Sequence, residues 1–280
     1  MCGQLYLCAT PIGNLADITN RVIDTLKMVD VIAAEDTRNS IKLLNHFDIH
    51  TPMTSYHEHN KFDKAEDLIR QMREGKNIAL ITDAGTPAIS DPGEVLVKRC
   101  MEEDIVVTSL PGAAAVIVAL TLSGISTRRF CFEGFLPIDK KERKLILTSL
   151  ENETRTIVLY ESPHHIKITL NDLINQLGNR HITICKELTK KFEKVMSFTI
   201  KEAIELYENE APRGEYVIII EGKDINDIHS ENIKKWEELT INEHMDFYLG
   251  EGLDKKEAMK SVAKDRGISK RDVYANLLNN

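Results

Sequence analysis

The sequence has no Cys-x-x-Cys pair and only five cysteines, Cys2, Cys8, Cys100, Cys131 and Cys185, spread over 280 residues and set mostly inside apolar runs. That spacing excludes a disulfide framework and reads as buried thiols in a reducing compartment. Histidine is no better placed for a metal. His57 and His59 flank Glu58, His164 adjoins His165, and no H-E-x-x-H spacing completes a ligand set, so no metal is expected. No apolar stretch approaches the roughly 20 residues that cross a bilayer. The first nine residues lack a charged n-region, an apolar h-region and a cleavage site, which predicts a cytoplasmic chain with no membrane partner. Positive charge is also in short supply: 36 basic residues stand against 44 acidic, a net charge of −8. A protein that coats nucleic acid with its whole surface is thereby excluded, and any RNA contact must lie on a local basic patch. The G-x-G-x-x-G, G-x-x-x-x-G-K-[ST] and G-x-S-x-G patterns are all missing, which removes the usual dinucleotide, Walker-type and serine-hydrolase sites. Ser162-Pro163 reads instead as a strand-to-helix turn with proline near the first helical position.

What is present is an ordinary globular composition, 42% hydrophobic and 29% charged, at a length that suggests two compact units and an appendage. Short apolar runs at 5–8, 31–34, 78–81 and 105–107 predict strands, and apolar residues at three- to four-residue spacing predict helices over 19–28, 40–47, 61–73 and 93–102. Strictly alternating strands and helices predict a parallel sheet covered on both faces, an α/β fold. A second α/β unit starts near 120–124, with strands at 130–133, 156–160, 182–186 and 216–221 and helices over 140–149 and 166–177. Apolar density then falls across 223–232, which reads as a linker, and the tail from 231 to 280 reads as helices only. Ser269 is placed to cap the last of these, after a turn at Gly267. The expected domains are 1–118, 119–223 and a small helical, helix-turn-helix-like module at 231–280.

Glycine and proline gather in the loops that follow the strands: Thr10-Pro11-Ile12-Gly13-Asn14, Thr82-Asp83-Ala84-Gly85-Thr86-Pro87 and Leu110-Pro111-Gly112-Ala113. All three sit where open α/β sheets place their ligands, at the carboxyl ends of strands. Rigid loops of this kind present main-chain amides and carbonyls to a small polar ligand of adenosine type, or are simply tight turns. Glu35-Asp36-Thr37-Arg38 opens a helix, with Asp36 and Thr37 suited to capping. Arg38 fits either a phosphate clamp or a surface ion pair with Glu35 or Asp36. Between Asp254 and Asp272 seven basic residues face four acidic ones, which suits either RNA docking or a solvated helix face.

Taken together, LYLCATPIGNLADIT at 5–19, AAEDTR at 33–38, TDAGTPAISDPG at 82–93, LPG at 110–112, FEGFLP at 132–137, YESPH at 160–164, ELTK at 187–190 and RGE at 213–215 resemble one family. It is the ribosomal RNA small-subunit methyltransferase I family of the tetrapyrrole methylase superfamily. The resemblance runs over nearly the whole chain, tail included. It implies two α/β domains, a homodimer, and S-adenosylmethionine as methyl donor for the 2'-hydroxyl of a cytidine in the decoding centre (P site) of 16S rRNA. Carried over by motif, the cofactor contacts fall on Pro11, Ile12, Gly13, Asp83, Ala84, Gly85, Thr86, Ala113, Ala114, Tyr160 and Leu188. RNA contacts are expected from Arg38, His165, Lys255, Lys256, Lys260, Lys264, Lys270 and Arg271. The family often has arginine at the position of His165 and at that of Lys186. Glu187 with Lys190 is a candidate for accepting the hydroxyl proton, or else a structural salt bridge. The rival readings are a tetrapyrrole or protein side-chain methyltransferase of the same superfamily and a non-catalytic RNA-binding module. The glycine-rich opening loop of the porphyrin-methylating relatives is replaced by Pro11-Ile12-Gly13-Asn14, which speaks against a tetrapyrrole.

Overall fold

The short apolar runs of the first 110 residues become strands because both of their faces can be buried. A computed structural model, which describes residues 2–237 and 239–278, defines the architecture. In chain order the first layer comprises β1 (Leu5–Cys8), α1 (Asn20–Met28), β2 (Val31–Ala34), α2 (Thr37–His46), β3 (Met53–Ser55), α3 (Lys61–Arg73), β4 (Ile78–Ile81), α4 (Gly93–Glu102) and β5 (Val107–Leu110). The sheet is parallel throughout, in the order β3-β2-β4-β1-β5. Strand periodicity splits its core in two: Leu5 and Leu7 pack with Leu68, Met72 and Leu96 of α3 and α4, whereas Cys8 packs with Val22, Leu26 and Leu44 of α1 and α2. The helices start where the polar residues allow. Thr19 Oγ1 accepts from the Val22 amide at 3.2 Å and Asp36 Oδ1 from the Arg38 amide at 2.9 Å, so α2 begins at Thr37, three residues ahead of the expected start.

The second layer comprises α5 (Ala115–Leu122), β6 (Phe130–Phe135), α6 (Lys140–Ser149), β7 (Thr156–Glu161), α7 (Ile166–Leu177), β8 (His181–Lys186), β9 (Lys194–Thr199), α8 (Ile200–Asn209) and β10 (Tyr216–Ile220). The order is β6-β7-β10-β8-β9, with β6 parallel to β7 and every other pairing antiparallel. Four of these eighteen two-layer elements were not expected from sequence. β3 has only three residues, and β9 is a half-exposed edge strand with no apolar run. α5 (AVIVALTL) is apolar on every side and shows no amphipathic period, because Val116, Ala119 and Leu120 bury against Val158, Cys185, Val217 and Ile219. α8 is amphipathic and follows β9 without a loop, its capping box formed by Thr199 and Glu202.

Residues up to 148 and 156–221, hence both sheets, form one compact unit; residues 149–155 and the chain from 222 onward form a second. The expected linker over 223–232 is corrected here: most of it belongs to a helix, α9 (Ile225–Glu237), whose apolar positions are too sparse to announce it. α10 (Ile241–Gly250), α11 (Lys255–Asp265) and α12 (Lys270–Leu278) follow around Met245, Ala258, Val262, Ala263 and Val273, so the tail is helical as expected and begins earlier, with α9. Gly267, at φ 64°, makes the left-handed turn between α11 and α12.

Candidate active site

Sheet topology creates the site. β1 and β4 are neighbours, yet the chain leaves β1 toward α1 on one face and leaves β4 toward α4 on the other. A crevice opens at such a switch point, between the loops that follow the two strands. Here it is stitched by backbone: the Thr10 amide donates to Gly85 O at 2.9 Å, the Gly85 amide to Thr10 O at 3.1 Å, and Thr10 Oγ1 to Thr82 O at 3.1 Å. Gly85 sits at φ 90°, a conformation that favours glycine. Asp91 holds the rest of the loop, its Oδ1 accepting from the amides of Ala88 at 3.0 Å and Gly93 at 2.7 Å.

The opposite wall comes from the second sheet. β10 runs against β7 and β8, and its register sets Tyr216 beside both Glu161 and Lys186. The carboxyl ends of two strands and the amino end of a third therefore converge, bringing residues 160–163, 185–188 and 215–217 together. The resulting cleft measures about 410 Å³, within the range of small-molecule sites. Ile12, Ala114, Leu188, Val217 and the Tyr160 ring supply apolar wall. Phe132 and Phe135 pack edge-on to Tyr160 at centroid distances of 4.8 and 5.6 Å, fixing that ring. Burial pushes the Tyr160 phenol up, and its oxygen accepts from the Val116 amide at 3.1 Å, so it stands as a neutral wall.

The polar lining has one sign. Glu35, Asp83, Asp91, Glu161 and Glu215 face the cleft, and among the described residues no Lys, Arg or His does. Such a chamber favours a cation and repels phosphate. Thr82 Oγ1 donates to Glu35 at 2.7 Å and Thr86 Oγ1 to Ala113 O at 3.0 Å, so these hydroxyls are engaged. Ser162, which lines the cleft, has a buried hydroxyl without a hydrogen-bond partner. Four non-glycine residues with left-handed backbone, Ala88, Ser90, Glu187 and Thr189, sit in the loops that flank it. Strain collected at a cleft is a mark of function.

The candidate residues divide accordingly. Ile12, Asp83, Ala84, Gly85, Thr86, Ala114, Tyr160 and Leu188 line the cleft; Pro11, Gly13 and Ala113 stand directly beside lining residues in the same loops. Glu35, Ser90, Asp91, Phe135, Glu161 to Pro163, Cys185 and Glu215 to Val217 line it as well without having been assigned to it from sequence. The 160–163 segment was legible as a motif, whereas 215–217 arrives only through the antiparallel course of β10. Arg38 pairs with Asp36 through two bonds of 3.1 and 2.8 Å and is 88% exposed, which is the ion-pair alternative; Arg38 holds Asp36 down at about 2. His165 is exposed at the start of α7, and the six tail cations are all exposed on α11 and α12. His57 and His59 lie with ring centroids 6.0 Å apart, and among the described residues no cluster of metal-ligating side chains forms.

Glu187 and Lys190 form an ion pair at 3.1 Å, and Lys190 reaches Glu215 at 2.8 Å. Burial opposes both charges. The Glu215 amide and Lys190 nevertheless pull Glu187 below the usual carboxylate range, while Glu215 and Glu187 raise Lys190 above its ordinary value. Lys190 is thus held cationic and is no proton acceptor at neutral pH. Because the folded-state pKa of Glu187 is depressed, its stabilising contribution is present above 4.5 and disappears as pH falls through the lowered value. Glu187→Gln should therefore destabilise the protein by a constant amount at neutral pH and by less in acid. Urea melts across pH check this, and a difference that persists undiminished in acid would contradict it.

Fold and cleft define a two-sheet α/β scaffold with a small-molecule-sized cleft at its strand ends whose charged lining is carboxylate. Residues 4–204 match the model of the tetrapyrrole (corrin/porphyrin) methylases. Proteins called ribosomal RNA small subunit methyltransferase I are 49% identical in Halalkalibacterium halodurans and 47% in Bacillus subtilis, each comparison covering 97% of this chain and 93% of the relative. That of Haemophilus influenzae is 46% identical over 98% and 96%. Solved structures of a diphthine synthase (TM-score 0.61, 12% identity, 79% of this chain and 90% of that one) and a cobalt precorrin-4 methyltransferase (0.59, 20%, 78% and 94%) share the fold. The chain therefore belongs to the ribosomal RNA small subunit methyltransferase I family, within the S-adenosylmethionine-dependent tetrapyrrole methylases. No helix among the described residues is long and apolar enough to cross a membrane.

Proposed function

We propose that this chain transfers a methyl group from S-adenosylmethionine to the 2'-hydroxyl of a cytidine in the decoding centre, at the P site, of 16S rRNA, within the small ribosomal subunit. Near-full-length identity of 46–49% to small-subunit rRNA methyltransferases carries the substrate class. The acceptor atom and nucleotide rest on the motif resemblance, as do a homodimer and a cytoplasmic setting.

The residues fit the cofactor. Ile12, Ala114, Leu188, Val217 and Tyr160 offer apolar surface for an adenine, Asp83 and the 84–86 backbone offer polar anchors, and Ser162 Oγ awaits a partner. S-adenosylmethionine supplies an electrophilic methyl on a cationic sulfur, and a cleft lined by carboxylates suits that charge. Holding the ribose hydroxyl in line with that methyl contributes up to about 7–11 kcal/mol through orientation. The same carboxylates keep RNA phosphates out, so a single nucleoside must turn out of the strand to enter. With Lys190 cationic and Glu187 already engaged by two donors, neither residue of that pair is a free base.

Small subunits lacking the modification, incubated with protein and radiolabelled cofactor, should acquire one alkali-resistant dinucleotide that begins with a methylated cytidine. RNA carrying 2'-deoxycytidine there should accept no label, and free tetrapyrroles should accept none. Label recovered on the cytosine ring would overturn the acceptor atom; label on a tetrapyrrole alone would overturn the substrate class.

A further inference from the structure

Phe135, Glu161 and Ser162 wall the acidic cleft and at the same time wall a second cavity of about 680 Å³. Around that second cavity the free charges change sign. It is lined by Lys140 and Lys144, one helical turn apart on α6, and by His165 at the start of α7. Its acidic groups are already engaged. Asp172 accepts from Arg143 Nε at 2.7 Å; Glu161, 5% exposed, accepts from the Ser162 amide at 2.6 Å and from the Thr169 hydroxyl, which Arg143 also contacts at 2.8 Å. Lys140 and Lys144 are exposed and have no acidic partner among the described residues. Phe135, 58% exposed, stands at the seam with its edge held by Tyr160 and much of its surface bare.

We propose that this groove holds the RNA strand flanking the target nucleotide, with Lys140 and Lys144 on its phosphates and Phe135 as the platform on which a base stacks. The proposal rests on the reading that RNA is the substrate and deepens it, since it says how the strand approaches. A chamber of carboxylates admits a nucleoside and refuses its phosphates, so the backbone on either side must find positive charge close to the chamber mouth. The groove supplies that charge across a shared wall. An aromatic surface at the junction compensates the stacking that an extruded base leaves behind.

The test is the double variant Lys140→Glu/Lys144→Glu in the full chain. Lys140 is the first residue of α6, where glutamate complements the helix dipole, and Lys144 is exposed, so folding is spared. The KM for small subunits should rise roughly tenfold or more, and the dependence of log affinity on log salt should become shallower by about 1.4 to 1.8 for two lost phosphate contacts. Cofactor affinity by calorimetry should stay within about twofold, and Lys140→Arg/Lys144→Arg should restore the wild-type values. Phe135→Ala should weaken RNA roughly tenfold with the salt slope intact. An unchanged KM and slope in the double variant overturn the proposal. So does a variant that changes only the oligomeric state, which would make the groove an interface between copies of the chain. Wild-type protein that methylates no ribosomal RNA would bring down the functional reading alone, because binding of a fluorescent single-stranded RNA oligonucleotide to wild type and variant still judges the groove.

Discussion

Gly13→Val should deprive the folded protein of most of its S-adenosylmethionine affinity. A β-carbon at Gly13 would clash with Lys190 Cγ and lie 2.8 Å from Thr189 Oγ1 and 2.9 Å from Leu188 O. The lysine can swing aside, but the Leu188 carbonyl is backbone in a loop whose neighbours Glu187 and Thr189 already occupy left-handed conformations. The loop after β1 must therefore move away from the loop after β8, and the two carry Ile12 and Leu188, which share one apolar cluster and both line the cleft. Overpacking of this kind costs about 1–3 kcal/mol. If that falls on the bound geometry, affinity drops roughly fivefold to 150-fold. Gly250→Ala, where a β-carbon meets nothing within 4 Å, serves as the neutral control. Calorimetry with the cofactor, on variants whose circular dichroism matches wild type, decides the matter. An affinity within twofold of wild type would mean that the two loops do not jointly grip the ligand.

Replacing Lys255, Lys256, Lys260, Lys264, Lys270 and Arg271 together by alanine should weaken RNA binding by roughly a hundredfold at moderate salt and flatten its salt dependence, while cofactor affinity survives. All six side chains are exposed, and the buried residues of the module, Ala258, Val262, Ala263 and Val273, are left alone. On α11, Lys256, Lys260 and Lys264 recur every fourth residue and so form one stripe, the arrangement that tracks a phosphate backbone rather than one scattered for solubility. Alanine also has the best helix propensity, so loss of binding would not be loss of structure. Filter binding of small-subunit RNA across a salt series, with calorimetry on the same samples, reads both quantities. Equal salt slopes for variant and wild type would assign the stripe to solvation alone.

The strand-end loops were legible because short buried strands are apolar runs, and the glycines and prolines that end them are conspicuous. Residues 82–86 needed no structure to be singled out. The character of the site was less legible. Glu35 read as part of a helix start, and it does precede the Asp36 cap, yet its carboxylate also takes the Thr82 hydroxyl at the cleft wall. Glu187 and Lys190 read either as a proton-accepting pair or as a structural salt bridge in sequence; the short distance between them and the third contact to Glu215 show the salt bridge. α9 reads as a linker because apolar density falls there, although Ile225, Ile228, Ile233 and Trp236 share one helical face.

Sequence alone determined the α/β class, the position of three of the five strands in the parallel sheet, the glycine- and proline-rich loops after β1 and β4, and the family; β3 has no apolar run long enough to read, and the run expected at 105–107 overlaps β5 only at Val107. Each of these depends on local pattern: apolar spacing sets the elements, and glycine and proline set the turns between them. Only the tertiary structure decided that the charged groups lining an otherwise apolar cleft are all carboxylates, that Tyr216 lies beside Glu161, and that a groove lined by Lys140 and Lys144 begins across the wall formed by Phe135, Glu161 and Ser162. These are consequences of strand order and direction. An antiparallel β10 carries residues 215–217 to the mouth of a site whose other residues come from strand ends as far back as residue 12, and no periodicity along one segment records which distant segment will lie against it.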